Sequence, residues 1–261
     1  MFPVCHPIRV DSRAFAALCC FLARRRFFVD RIHGDRAELT GDDARHLARV
    51  LRAQVGQQYE LSDNHRAFLA EISAVGAKHV TFRIVEPLAP ETPSPEITIF
   101  AALIKFDRFE WLVEKATELG VARIVPVDAA RTEQGLALAA AKRVDRWKKI
   151  ARESSQQARR LRIPEIASPA NFDTAVSQSA AARFFLEEQP GADPLLRVLP
   201  AVRTPGDAIA ILTGPEGGWT DRERTLACGA GWKPVSLGRQ ILRAETAAIA
   251  ALAILGQAWQ I

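Results

Sequence analysis

Cysteine is scarce in this chain and badly spaced for chemistry. Of four cysteines, Cys5, Cys19 and Cys20 fall in the first twenty residues and Cys228 stands alone. There is no C-x-x-C pair, no His/Cys ligand spacing and no disulfide framework. The sequence therefore predicts no metal site and fits a reducing, cytoplasmic setting. No apolar run approaches the roughly 20 residues that a membrane helix needs. Neither G-x-x-x-x-G-K-[ST] nor G-x-G-x-x-G occurs, so the familiar phosphate loops are excluded. Internal repeats and low-complexity segments are missing as well. A secretory leader is not expected. The apolar run from Ala14 to Ala23 follows Arg9 and Arg13, but Arg24-Arg25-Arg26 stands directly behind it, where a leader has its cleavage site. Residues 1–24 are read as an N-terminal extension without a functional role, forming a loosely attached amphipathic helix.

What is present is enough for two domains with real cores, at 261 residues. Hydrophobic content of 48% and charged content of 25% are ordinary for a globular protein. The net charge of +5 is modest, but its distribution is not. Residues 142–162, expected as one basic helix, carry nine Lys/Arg (142, 143, 146, 148, 149, 152, 159, 160, 162) against Asp145 and Glu153. That is +7 locally, which leaves −2 for the rest of the chain. A concentrated stripe on a near-neutral protein is the footprint of nucleic-acid binding, although a merely solvated helix face is the commoner outcome of such a run.

The chain's organising stretch is its end. An apolar strand, Ala208 to Leu212, breaks into Thr213-Gly214-Pro215-Glu216-Gly217-Gly218-Trp219, which cannot continue a strand. Thr220 and Glu223 read as a capping box opening a short helix. A second strand, Pro234 to Leu237, runs into Gly238-Arg239-Gln240-Ile241-Leu242-Arg243-Ala244-Glu245-Thr246-Ala247, followed by an Ala/Ile/Leu-rich helix to about Trp259. Two strands that each end in a glycine loop describe a ligand cradle at strand carboxyl ends. The glycines alone are equally compatible with simple corners.

GPEGG followed some twenty residues later by LG-x-x-ILR-x-ETA resembles the signature of the ribosomal RNA small subunit methyltransferase E family. That family belongs to the SPOUT superfamily of trefoil-knotted RNA methyltransferases. Gln240 and Ala244 depart mildly from its pattern, at positions where a backbone-made pocket does not depend on the side chain. The resemblance extends upstream. His46-Leu47-Ala48-Arg49-Val50-Leu51-Arg52 is similar to the family's N-terminal PUA-like RNA-binding domain. Lys105, Asp107, Glu110, Lys115 to Val121 and Arg131-Thr132 are similar to its catalytic domain, as are Gln157, Arg160 and Pro164 in a Q-x-x-R-x-x-x-P element. It covers about Arg25 to the C-terminus.

The resulting expectation is an α/β chain: an extension over 1–24, a small PUA-like β-barrel over 25–86, a proline-rich linker over 87–96, and a knotted SPOUT-type α/β domain over 97–261. Within the first domain, Thr40 is expected to cap a helix over 41–52 whose Leu47, Val50 and Leu51 share one face. In the second, Asp107 is expected to cap a helix with Phe109, Leu112, Val113, Ala116 and Leu119 on its buried side.

The resemblance implies transfer of a methyl group from S-adenosylmethionine to N3 of a uridine in small-subunit ribosomal RNA, on the assembled subunit, by a cytoplasmic homodimer. Uridine N3 is a neutral imide N–H that must lose its proton as the methyl arrives. A site needs a proton acceptor, or a cation facing O2 and O4. Arg160 and Arg243 are the candidate cations. Glu216 and Glu245 are the carboxylates within reach; Glu216 is carried as a tentative catalytic residue, and either can equally brace local backbone. Cofactor contacts are expected at Thr213, Gly214, Gly217, Leu237, Gly238, Ile241, Leu242 and Arg243. RNA contacts are expected at His46, Arg49, Arg52, Arg131, Arg159, Arg160 and Arg162. Two other readings stand beside this one: another SPOUT RNA methyltransferase acting on a tRNA or rRNA ribose, and a non-catalytic RNA-binding assembly factor.

Overall fold

The structure, a computed structural model, describes residues 25–30 and 32–260. The expectation for residues 1–24 lies outside them. The chain divides into two compact units, with the boundary between Pro90 and Glu91.

The first unit is built from strands β1 (Arg26–Phe28), β2 (Ile32–His33), β3 (Arg36–Thr40), β4 (Gln58–Ser62), β5 (Ala67–Val75) and β6 (His79–Pro87). They form one six-stranded sheet in the order β1-β4-β5-β6-β3-β2. Every pairing is antiparallel except β1 with β4. Among the described residues no ladder joins β2 back to β1, so the expected barrel is seen as a sheet. Phe27, Leu39, Leu61, Ile72 and Phe82 fill its core. The expected helix over 41–52 is shorter. The α-helix α1 (Gly41–Arg45) passes into a π-helical turn, His46–Val50. Thr40 sits at the N-cap position but makes no side-chain cap bond. The widened turn rotates Val50 out of the apolar face, and it is 65% exposed while Leu47 is fully buried.

The second unit is a three-layer α/β fold. Its strands are β7 (Glu96–Ala102), β8 (Arg123–Asp128), β9 (Glu165–Ile166), β10 (Ala170–Asn171), β11 (Ala182–Leu186), β12 (Asp193–Pro194), β13 (Ala208–Thr213) and β14 (Lys233–Ser236). The sheet order is β10-β8-β7-β13-β11-β14-β12, with β9 also on β8, and every pairing is parallel. Parallel strands need crossovers, which place helices on both faces. Those helices are α2 (Phe106–Glu118), α3 (Leu136–Ala140), α4 (Val144–Gln157), α5 (Phe172–Val176), α6 (Asp221–Gly229) and α7 (Ala244–Ala258). The mostly apolar runs of β7 and β13 follow directly. Ile97, Ile99, Ile209 and Ile211 face a core shared with α2, α4 and α7. Phe100, Ala102, Ala210 and Leu212 face a second core shared with α5 and α6. Trp147 of α4 packs on Phe109 of α2 with ring centroids 4.5 Å apart.

Three expectations are corrected here. Lys105, not Asp107, holds the N-cap position of α2; no side chain caps it, and Asp107 lies in the first turn. Leu119 lies past the helix end and is 42% exposed, while Thr117 takes the buried position by donating its hydroxyl to the Val113 carbonyl. The basic stripe is also not one helix. It ends as helix at Gln157, and Arg159 takes a left-handed backbone at φ 54°. No helix among the described residues is long and apolar enough to cross a membrane.

Candidate functional site: a cavity between two glycine loops

β13 and β14 flank β11, and the three strands end side by side. The loop after β13 owes its shape to packing as well as to glycine. A β-carbon on Gly214 would lie 3.0 Å from the Trp219 ring, so the absent side chain is what lets the indole fold back under the loop. Trp219 stacks on Phe185 at 5.0 Å and donates its indole N–H to the Leu186 carbonyl at 3.0 Å. That contact ties the loop to the end of β11. Gly218 takes φ +68° and its N–H closes a turn on the Pro215 carbonyl at 2.9 Å. Arg131 donates to the Gly217 carbonyl at 2.8 Å, and Arg108 forms an ion pair with Glu216.

Behind the loop, Thr220 and Glu223 form the capping box of α6, as expected. The Glu223 carboxylate reaches further than its own helix and accepts the Ala130 N–H at 2.8 Å. The second loop is pinned at its start. The Ser236 hydroxyl donates to the Gly238 carbonyl at 3.0 Å and accepts the Gly238 N–H at 3.1 Å, with Gly238 at φ +130°. Arg243 then enters α7 through an extended N-cap. On the β11 side, Glu187 accepts the N–H groups of Glu188 and Gln189 and pairs with Arg224 at 2.6 Å. Burial pushes the Glu187 carboxyl up, but the Arg224 bonds and the two backbone donors outweigh it and hold the group below its usual value.

These segments enclose a cavity of about 410 Å³, within the usual range for small-molecule sites. Of the residues expected to hold a cofactor, Gly214, Leu237, Gly238, Ile241, Leu242 and Arg243 line it. Thr213 is buried at the end of β13 and does not, and Gly217 borders a smaller neighbouring hollow. Of the three catalytic candidates, Arg243 and Glu216 line the cavity. Arg160 is not among the lining residues. It donates to the Thr117 carbonyl at 3.1 Å, and burial pulls its guanidinium down to about 10, against the opposing charge of Glu91. Glu245 is buried in the first turn of α7.

The expected RNA contacts are dispersed. Arg49 and Arg52 are exposed, and His46 Nε2 lies 3.1 Å from Arg25 Nη1. Arg162 stands 4.0 Å from Glu96, and Arg131 is engaged with the glycine loop. Within the basic stripe, Arg146 makes a two-pronged pair with Glu110, Lys148 faces Asp145 and Lys149 faces Glu153.

Sequence reasoning missed Arg108, Glu187, Glu188 and Trp219 as parts of the cavity wall. The signal available was position: Glu187 and Glu188 directly follow a buried strand, at the end of the sheet where ligands sit.

Residues 90–256 match the sequence model of an RNA methyltransferase domain, and residues 39–85 match that of an RNA methyltransferase PUA domain. The chain is 33% identical to the ribosomal RNA small subunit methyltransferase E of Synechocystis over 223 residues, covering 82% of this chain and 71% of the relative. Identity to the enzyme of that name from Bacillus subtilis is 27%, over 83% of this chain and 88% of the relative. The crystal structure of the Neisseria gonorrhoeae protein of that name, bound to S-adenosyl methionine, superposes with a TM-score of 0.81 at 28% identity. The match covers 90% of this chain and 98% of that one.

Proposed function

The chain belongs to the ribosomal RNA small subunit methyltransferase E family, and on that premise we propose that it methylates N3 of a uridine in 16S ribosomal RNA within the small subunit. Its methyl donor is S-adenosylmethionine. The observation that supports this reading most is the cavity between the 214–219 and 236–244 loops. Its walls suit the donor chemically. Gly218 and Gly238, at positive φ, expose backbone, and Leu237 and Leu242 offer apolar contact for an adenine. Glu187 and Glu188 offer acceptors for hydroxyl and ammonium groups.

When bound, the donor supplies an electrophilic methyl on a sulfonium. The chain's own task is to hold that methyl in line with a deprotonating imide nitrogen and to keep water away. Arg243 lies on the cavity wall, and in this reading it is the cation that meets developing negative charge on a uracil oxygen. The same reading includes a trefoil knot formed by the two loops with α7, and a homodimer whose interface completes each site. The sheet unit, through His46, Arg49 and Arg52, binds RNA together with the exposed arginines around α4. Its association with ribosomal RNA should weaken steeply with salt, because each neutralised phosphate releases counterions. Methyl-labelled donor, unmodified small subunits and nucleoside analysis of the digested RNA test the reaction.

A further inference from the structure

Leu186 and Glu187, at the end of β11, are held from three sides, each time by a segment adjoining one of the two glycine loops. Trp219, at the end of the first loop, donates its indole N–H to the Leu186 carbonyl at 3.0 Å. Val235 of β14, the strand that runs into the second loop, accepts the Glu187 N–H at 2.9 Å. Arg224 of α6 grips the Glu187 carboxylate with Nε at 2.6 Å and Nη2 at 3.3 Å. Leu186, Glu187, Trp219 and Val235 line the larger cavity; Arg224 is not among its lining residues.

The two carboxylate oxygens of Glu187 are used unequally. Oε1 accepts the N–H groups of Glu188 and Gln189, at 2.9 and 3.1 Å, as well as Arg224 Nη2. Among the described residues, Oε2 accepts only Arg224 Nε. An ionised carboxylate oxygen offers about two lone-pair sites, so Oε1 is filled and Oε2 keeps one. The pair is also shielded, with the Glu187 side chain 7% exposed and that of Arg224 18%. A shielded, two-pronged guanidinium–carboxylate contact fixes direction as well as charge, which an exposed surface pair does not. Without Arg224 the carboxylate keeps its two main-chain bonds, but nothing then sets the bearing of Oε2.

We infer that Arg224 is a positioning residue for methyl-donor binding. From outside the cavity it aims Glu187 Oε2 at a hydroxyl or ammonium group of S-adenosylmethionine. The inference rests on the reading of this cavity as the donor site, and it assigns a part of the chain that sets the donor's affinity. An acceptor oriented before the ligand arrives loses less freedom on binding. The hydroxyl and ammonium groups are remote from the reacting methyl. Loss of Arg224 therefore weakens capture of the donor and leaves the transfer step alone.

The test is a double-mutant cycle in the full chain: Arg224→Gln, Glu187→Gln and the two together, with Arg222→Gln as control. Arg222 lies on the same helix and pairs with Asp173, its side chain 69% exposed. Calorimetry gives donor affinity, urea unfolding gives stability, and single-turnover methylation of unmodified small subunits gives the rate at saturating donor. Arg224→Gln is expected to weaken S-adenosylmethionine binding about 10-fold and to keep the saturated rate within about twofold. Arg222→Gln should change neither. In the Glu187→Gln background, removing Arg224 should weaken binding by less than about twofold more, because its effect passes through that carboxylate. Arg224→Lys keeps one charged contact and should fall between the unaltered chain and Arg224→Gln; it carries the test if the Gln variant fails to fold. Unchanged donor affinity in the Arg224 variants, or losses that simply add in the double variant, would overturn the inference. A saturated rate that falls as far as the affinity does would overturn it too, since that marks a general loosening. An unaltered chain that fails to bind S-adenosylmethionine would remove the donor site, and this inference with it.

Discussion

Glu223 Oε1 accepts the backbone N–H of Ala130 at 2.8 Å, while Oε2 takes the N–H and hydroxyl of Thr220. A carboxylate only 1% exposed thus joins the start of α6 to the loop after β8, whose next residue, Arg131, holds the Gly217 carbonyl. Cutting this link leaves three donors on partly buried groups without their acceptor. Glu223→Ala should cost about 2–3 kcal/mol in urea unfolding and weaken S-adenosylmethionine binding as the glycine loop loosens. Glu223→Gln keeps an acceptor oxygen and should lose less. Equal and negligible losses for both would show the link to be idle.

The loop after β14 depends on Gly238. An added β-carbon there meets nothing within 4 Å, so the objection is the backbone, at φ +130°. Gly238→Val should abolish cofactor binding in calorimetry while the thermal transition persists, because the strain is local and lies in an exposed loop. Undiminished affinity would remove the ligand from this loop.

At the far end of α7, Trp259 donates its indole N–H to Asp207 at 2.8 Å, and Thr204 adds its hydroxyl and its N–H. The Thr204 bonds first, then that of Trp259, hold the Asp207 carboxyl below its ordinary value of 3.8. An acid whose folded value is depressed adds stability that is complete above the unfolded value and fades as pH falls through the folded one. The difference in urea midpoint between the unaltered chain and Asp207→Asn should stay constant above about pH 5 and shrink below about pH 4. A difference that grows in acid would contradict the sign.

The proposed homodimer would draw on α7. Ala248, Ala251, Leu252 and Leu255 are fully buried within the chain, whereas Ile249 and Ile254 are only partly covered. Ile249 packs partly on the chain's own core and leaves apolar surface suited to a second subunit. Leu252 is fully buried, so a charge there tests the core. Ile249→Lys is the cleaner probe. It should shift light scattering from dimer to monomer and take activity with it. A fully active monomer at micromolar concentration would refute the shared site.

The sequence carried the local parts of this architecture and missed those made by distant partners. Thr220 and Glu223 sit three residues apart, and the two-sided burial of β7 and β13 shows in their mostly apolar runs, so both are readable from neighbours alone. Arg108 and Glu216 lie 108 positions apart, and nothing near either marks the pair. Arg131 reads as a surface arginine until the fold brings Gly217 beneath it. The positive φ demanded of the first loop falls on Gly218 and not on Gly217, because packing against Trp219 and Arg131 apportions the turn. Helix periodicity could not foresee that residues 46–50 widen to a π-turn, since an apolar stripe fits either spacing over so short a stretch.

The uridine N3 reading turns on the atom that receives the methyl group. Small subunits from cells lacking the modification, incubated with this protein and methyl-labelled S-adenosylmethionine, should yield a digest in which the label co-migrates with N3-methyluridine, at about one per subunit and only when the protein is present. Label on a ribose hydroxyl, on another base, or on no nucleoside at all would contradict the account.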